Sequence, residues 1–387
     1  MMILYAHIMN IKRLKDKKAI SELLALFPVV AILGPRQCGK TTLAQTFKAH
    51  AYFDFENPQD WETFSQPLLA VERLKGLVVI DEIQRMPELF PVLRHIVDTR
   101  KDLRFLILGS ASRDLIRQSS ESLAGRIAYH ELSGFSMSDI GADQWQKLWM
   151  RGGFPLAYMA KSEKASQLWR QSYIQTFLER DIPQLGISIP SSTLRRFWMM
   201  LCHYHGQNMN YSEFARSFGV SDMTIRRYLD ILEGTFMIRV LQPWHTNLGK
   251  RLVKSPKIYF RDTGLLHTLL SIQTEEELMN HPRMGASWEG FAIECVARQL
   301  GRRNEELSFW GTHSGAEVDL FWQSGKGNYA VEVKYNQAPK LTPSMKSAVQ
   351  ELQLEHLWVV YPGSRTYPLA ERVTAIPLKR AGVQEFQ

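Results

Sequence analysis

The sequence predicts an α/β fold class, with a doubly wound parallel sheet in its first third. Residues 28–33, 77–80 and 105–108 are apolar runs, the mark of strands covered on both faces. Segments of helical periodicity lie between them, as a parallel sheet requires. Residues 28–33 also run straight into a glycine-punctuated turn and a further helical pattern. The 387 residues are 45% hydrophobic and 22% charged, an ordinary globular composition with room for about two to three domains. None of the apolar runs approaches the ~20 residues needed to cross a bilayer, so no membrane association is expected.

Residues 11–25 read as a basic amphipathic helix leading into the first strand. Residues 1–10 are partly apolar but lack a cleavage site of small residues, so no secretory signal is expected. The turn after the first strand is Gly34-Pro35-Arg36-Gln37-Cys38-Gly39-Lys40-Thr41. Its spaced glycines let the backbone curl so that successive N–H groups face an anion. Lys40 can then reach the β and γ phosphates, and the Thr41 hydroxyl can ligate Mg²⁺. A helix is expected over residues 42–48, with Thr42 beside the phosphates. ATP and Mg²⁺ are the cofactors this predicts.

Residues 51–58 read as a short strand and then a turn. Residues 77–80 lead into Asp81-Glu82, an acidic pair at the end of a strand, where parallel sheets bind ligands. Asp81 is expected in the Mg²⁺ shell, and Glu82 can orient or deprotonate the attacking water. The strand at 103–109 ends at Ser110, which either senses the γ-phosphate, positions water, or is a turn serine. Arg126 follows a glycine. It is either an arginine finger, acting in its own subunit or in another, or a surface arginine.

Residues 1–130 form the expected nucleotide domain. Residues 131–200, with Trp145, Trp149, Trp169 and Trp198 among helical periodicities, read as a helical lid and connector. Residues 201–283 read as a winged helix-turn-helix. One helix runs from Ser212 to Phe218, Gly219 turns the chain, and Ser221 caps a second helix. Ile225, Leu229 and Leu232 would face the core, leaving Thr224, Arg226, Arg227 and Asp230 outward. Residues 284–387 read as a last α/β unit. Cys38, Cys202 and Cys295 are too scattered for a disulfide framework or metal site, so a cytoplasmic setting is expected. His203 and His205 have no carboxylate or cysteine at ligand spacing.

The stretches GPRQCGKTTL, VVIDEIQRMP, LILGSAS and SLAGR, in this order, resemble a family of bacterial and archaeal P-loop ATPases of the AAA_14/DUF4143 type. The resemblance continues through SPKIYFRDTGL, GASWEGF, GAEVDL and VEVK and covers nearly the whole chain. It departs at Gly134-Phe135, where the family pattern has Pro-Leu. The resemblance implies an AAA-like nucleotide domain and a C-terminal domain with a restriction-endonuclease-like core.

That last region carries Glu289 on a helix, Glu317 and Asp319 on a strand, and Glu332 and Lys334 on the next. Period two puts Glu332 and Lys334 on one strand face. This order is similar to the PD-(D/E)xK pattern, in which carboxylates share Mg²⁺ and the lysine steadies developing charge. Structural ion pairs are the plainer reading of the same residues. The formal charge of +8 permits nucleic-acid binding without requiring it. The leading expectation is a slow Mg²⁺-dependent ATPase that acts as a nucleotide-driven switch on nucleic acid, DNA being the expected partner. The alternatives are an ATP-gated metal-dependent nuclease and a non-catalytic ATP-binding regulator of a protein partner.

Overall fold

Six consecutive buried residues make up β1 (Val29–Gly34), a run that only a strand covered on both faces accommodates. In the computed structural model, which describes residues 11–110, 119, 121–244, 253–325, 327–381 and 386, the chain divides into two compact units. The first comprises the described parts of residues 1–140 with 153–155 and 234–236. The helix α1 (Leu14–Leu26) precedes β1, and α2 (Lys40–Ala44) follows it. The strands β2 (Ala51–Asp54) and β3 (Gly76–Asp81), the helix α3 (Leu89–Thr99), and the strands β4 (Leu103–Ser110) and β5 (Ile127–Glu131) complete the frame.

The five strands stand in the order β2-β3-β4-β1-β5, and every pairing is parallel. All strands therefore end at one edge, where the turn after β1 and the acidic pair after β3 meet. The expected helix over 42–48 stops at Ala44. The Thr46 hydroxyl and N–H both turn back to the Leu43 carbonyl, at 2.8 and 3.0 Å, which diverts that acceptor from a continuing helix.

The second unit comprises residues 141–152, 156–233 and the described parts of 237–387. It opens with α4 (Trp145–Arg151), α5 (Glu163–Thr176) and α6 (Ser191–His203). There follow β6 (Gln207–Asn208), α7 (Tyr211–Phe218), α8 (Asp222–Gly234), β7 (Ile238–Pro243) and β8 (Lys257–Phe260). Gly219, with φ of 66°, ends α7 in the left-handed region and turns the chain toward α8. Beyond β8 come α9 (Thr263–Leu269), α10 (Met284–Leu300), β9 (Ser308–Gly311), β10 (Glu317–Ser324) and β11 (Gly327–Val333). The helix α11 (Pro343–Glu351) and the strands β12 (Leu354–Tyr361), β13 (Tyr367–Ala370) and β14 (Val373–Pro377) close the unit.

The segments read from sequence as 201–283 and 284–387 share one sheet in this unit. Its nine strands run β13-β14-β12-β11-β10-β9-β7-β8-β6, so the strands of the second segment continue the sheet of the third. The seam is the parallel pairing Gln242↔Ser308 and Pro243↔Phe309 between β7 and β9. Met345 and Ala348 of α11 lie buried in one cluster with Val318, Ala330 and Val359 of the sheet. A second core gathers on Trp149, which is 2% exposed. Its ring lies near Trp145, Trp288, Phe291 and Tyr335, and its indole N–H donates to Ser287 Oγ at 3.0 Å. All three cysteines are free thiols, and no described helix is long and apolar enough to cross a membrane.

Candidate active site

In the first unit, the C-terminal edge of the sheet gathers most of the residues read as nucleotide-binding. Gly34 closes β1, and a Cβ there would collide with the Leu132 carbonyl. Gly39, at φ 101°, holds the left-handed turn into α2, which explains why glycine is needed at both positions. Gln37 is the exposed crest of the turn, Pro35 and Cys38 are buried, and Arg36, Gly39 and Thr42 are partly exposed. The Cys38 thiol faces the Leu132 carbonyl at 3.4 Å. Lys40 is buried, and its ammonium donates to the Gly34 and Pro35 carbonyls, both at 2.9 Å.

The acidic side of the edge is equally ordered. Asp81 Oδ2 accepts the Thr41 hydroxyl at 2.7 Å and the Tyr52 hydroxyl at 2.6 Å. Asp81 Oδ1 accepts the Glu82 N–H at 2.9 Å. Burial, reinforced by the bond to Asp81, pushes the Tyr52 phenol well up and keeps it a donor. Glu82 has φ of 55°, a left-handed conformation that is strained for a non-glycine residue. The Gln84 amide donates to its carboxylate. Burial raises the Glu82 pKa, Lys40 opposing it more strongly than Arg36.

Three residues here were not legible as site residues. Tyr52 sits in a short strand whose sequence, AYFD, suggests only packing. Gln84 lies just past the acidic pair. Arg13 falls in the segment read as a basic amphipathic helix, and it is buried. Its guanidinium donates to the Cys38 carbonyl at 2.6 Å and the Ser133 carbonyl at 2.7 Å, and lies 4.9 Å from the Phe135 ring centroid. Arg13 thus braces the phosphate-binding turn from behind.

Ser110 pairs in register with Gly34, which puts its backbone at the same edge, but its side chain lies outside the described residues. Arg126 is not gathered there. Its carbonyl, just before β5 begins, accepts the N–H of Val29, the first residue of β1, at the opposite edge of the sheet. Six residues of β1 at about 3.3 Å each separate that edge from the phosphate turn, beyond the reach of one side chain. Its guanidinium instead pairs with Asp98 at 2.6 and 2.9 Å. The reading of Arg126 as a finger on its own subunit's nucleotide is therefore corrected, because a parallel strand begins at the wrong edge.

In the second unit, the predicted carboxylates do converge. Glu289 comes from α10, Glu317 and Asp319 from one face of β10, and Glu332 from β11. Lys334 follows directly after β11 and meets Glu332 Oε1 at 2.6 Å. Asp319 Oδ2 accepts the Val333 N–H at 2.8 Å. Burial, then the Asp319 charge, pushes both Glu289 and Glu332 well above the ordinary glutamate range.

The centre of this group is Lys257 of β8, a residue the sequence did not single out. Its ammonium contacts Glu317, and lies 3.5 Å from Glu289 Oε1 and 3.5 Å from Asp319 Oδ1. Tyr259, two residues along the strand, donates its hydroxyl to Glu289 Oε1 at 2.6 Å. Burial works against the Lys257 charge, but the facing Tyr259, Glu289, Asp319 and Glu317 outweigh it and raise its pKa. Among the described residues no three His, Cys, Asp or Glu side chains are grouped to hold a metal ion. Glu289, Asp319 and Glu332 thus meet in one cluster, with the Lys257 ammonium against Glu289 and Asp319 and the Lys334 ammonium against Glu332.

A five-stranded parallel sheet with this turn, lysine, threonine and strand-end acidic pair defines the first unit as a P-loop NTPase fold. Family comparison agrees: the family described as "AAA domain" matches residues 26–141. Two families described as domains of unknown function, DUF8612 and DUF4143, match residues 142–276 and 284–381. The chain is 49% identical over 354 residues to "Uncharacterized protein Rv2008c" of Mycobacterium tuberculosis. The same identity holds to "Uncharacterized protein Mb2031c" of Mycobacterium bovis. Each alignment covers 90% of this chain and 80% of the relative. The chain belongs to the family of these two mycobacterial proteins, with an AAA-type, ATP-binding first domain. Among solved structures, a Walker-type ATPase of Pyrococcus abyssi matches with a TM-score of 0.49 and 13% identity, over 67% of this chain and 96% of that one.

Proposed function

We propose that the chain is a slow Mg²⁺-dependent ATPase that works as a nucleotide-driven switch on nucleic acid. The observation that supports hydrolysis is the joined set Thr41–Asp81–Glu82, with a hydroxyl, a carboxylate and a second carboxylate held at one sheet edge. The donor set is all oxygen, which suits Mg²⁺. Thr41 would hold the ion and Asp81 its shell. When bound, the ion neutralises charge developing on the phosphates.

The chain's own residues supply the rest. Lys40 swings from the Gly34 and Pro35 carbonyls to the β and γ phosphates, exchanging two neutral acceptors for charged ones. Turn N–H groups surround the phosphates, with Arg13 keeping the turn in place. Glu82 orients a water and takes its proton as the water oxygen bonds to the γ-phosphorus. The bond from that phosphorus to the β–γ bridging oxygen breaks, leaving ADP and phosphate. A raised Glu82 pKa favours proton uptake. Gln84 restrains Glu82 by its hydrogen bond, which is consistent with slow turnover.

The nucleic-acid part of the reading draws on the second unit. The order α6, β6, α7, α8, β7, β8, with β8 between β7 and β6, supports the reading of this stretch as a winged helix. Arg195 and Arg196 on α6, Arg216 on α7, and Arg226 and Arg227 on α8 are all exposed. The Arg226 guanidinium lies over the Tyr211 ring, 3.8 Å from its centroid, a cation–π contact that orients the group whose charge would meet phosphate. Turnover measured with and without duplex DNA tests this. The wild type should bind DNA in a salt-dependent way and change its ATPase rate. Arg226→Ala/Arg227→Ala should keep basal turnover and lose about two units of salt slope. ATP turnover indifferent to DNA at low salt would remove nucleic acid from the account while leaving the ATPase standing.

A further inference from the structure

We propose that Lys257 is a tethered cation that closes the C-terminal carboxylate cluster to divalent metal ions, so this cluster is not a metal-dependent nuclease centre. The carboxylate pattern by itself implies Mg²⁺, and the surrounding atoms do not fit that ion. Magnesium needs near-octahedral oxygen ligands at about 2.0–2.1 Å, with several oxygens turned to one point. Here each of the four carboxylates already has a protein cation or donor on at least one oxygen. Glu289 Oε1 accepts the Tyr259 hydroxyl and faces Lys257. Asp319 divides its two oxygens between Lys257 and the Val333 N–H. Glu317 contacts Lys257, and Glu332 Oε1 is taken by Lys334. Of this cluster's described carboxylate oxygens, Glu332 Oε2 is the one that is buried and without a hydrogen-bond partner, and one oxygen does not make a site.

The ammonium is also held where it is. Lys257 is 4% exposed and sits in a strand paired on both sides, with Leu241 of β7 and Asn208 of β6. Its attachment to the chain spares it the loss of free motion that an ion from solution suffers on binding. It reaches three carboxylates from two separate elements, so it carries the neutralising charge that a metal would otherwise supply. It comes from β8, outside residues 284–387, which explains why the carboxylate pattern within that segment points to a metal while the assembled unit does not. The inference is independent of the ATP reading, because every residue it uses belongs to the second unit.

The test is terbium titration of the full-length protein without nucleotide, reading luminescence sensitised by nearby tyrosine and tryptophan. Wild type and Asp319→Asn should give the same signal, with no saturable component that depends on Asp319. Lys257→Met should gain one saturable ion per chain, and Lys257→Met/Asp319→Asn should lose it again. Saturable terbium binding by the wild type that Asp319→Asn abolishes would overturn the proposal. So would a folded Lys257→Met protein that gains none. If Lys257→Met does not fold, plasmid cleavage decides. The wild type should leave DNA uncut with Mg²⁺ or Mn²⁺, and cleavage that disappears in Asp319→Ala would overturn the proposal.

Discussion

Glu82→Gln should bind ATP about as tightly as the wild type and turn it over about 10²–10⁴-fold more slowly, the usual contribution of a positioned general base. Glutamine keeps the volume of the side chain and its place after Asp81, so the Asp81–Thr41 and Asp81–Tyr52 bonds should survive. What disappears is the carboxylate that can accept a proton. The left-handed φ of Glu82 belongs to the backbone of the turn and does not depend on the charge. Single-turnover hydrolysis together with equilibrium nucleotide binding checks this. Wild-type turnover in Glu82→Gln would remove Glu82 from the chemistry and leave the strand-end pair a purely structural feature.

Trp149→Ala should destabilise the second unit by about 3–5 kcal/mol, the range for deleting a large buried aromatic side chain. Trp149 is 2% exposed, and the rings of Trp145, Trp288, Phe291 and Tyr335 come from three different stretches of chain. Removing it leaves a void among side chains fixed by their own neighbours. It also deletes the indole donor to Ser287, whose hydroxyl is hydrogen-bonded to His267 Nε2 at 2.7 Å. Burial lowers the His267 pKa to about 3, so the imidazole stays neutral and cannot compensate by taking on charge. Chemical denaturation followed by fluorescence measures the effect. A loss below about 1 kcal/mol would mean that the site repacks freely, contrary to a tightly fitted core.

The nucleotide edge was legible because its chemistry is written in adjacent residues. A turn that wraps phosphate needs Gly34, Gly39, Lys40 and Thr41 within eight positions, and a buried strand must deliver Asp81 and Glu82 at its tip. Tyr52 and Arg13 escaped notice because they act through space, one across neighbouring strands and one from the helix before β1. Lys257 escaped for the same reason, although a lysine in the fully buried strand Lys257–Phe260 is itself a signal of charged partners. Arg126 shows the opposite failure. Its place in the chain order suggested a role that the sheet denies within its own subunit, since periodicity finds strands but not which of their ends faces the ligand. The merging of the C-terminal segments turns on two residue pairs between β7 and β9, too few to leave a mark in hydrophobic patterning.

Nucleotide binding by the wild type and by Lys40→Ala, measured by calorimetry with ATP and Mg²⁺, tests the central claim most directly. The wild type should bind one ATP per chain. Lys40→Ala should bind about a hundredfold more weakly or worse, because hydrogen bonds to charged groups are worth about 1.5–3 kcal/mol each. Equal affinity in the two proteins, or no affinity in the wild type, would contradict the account.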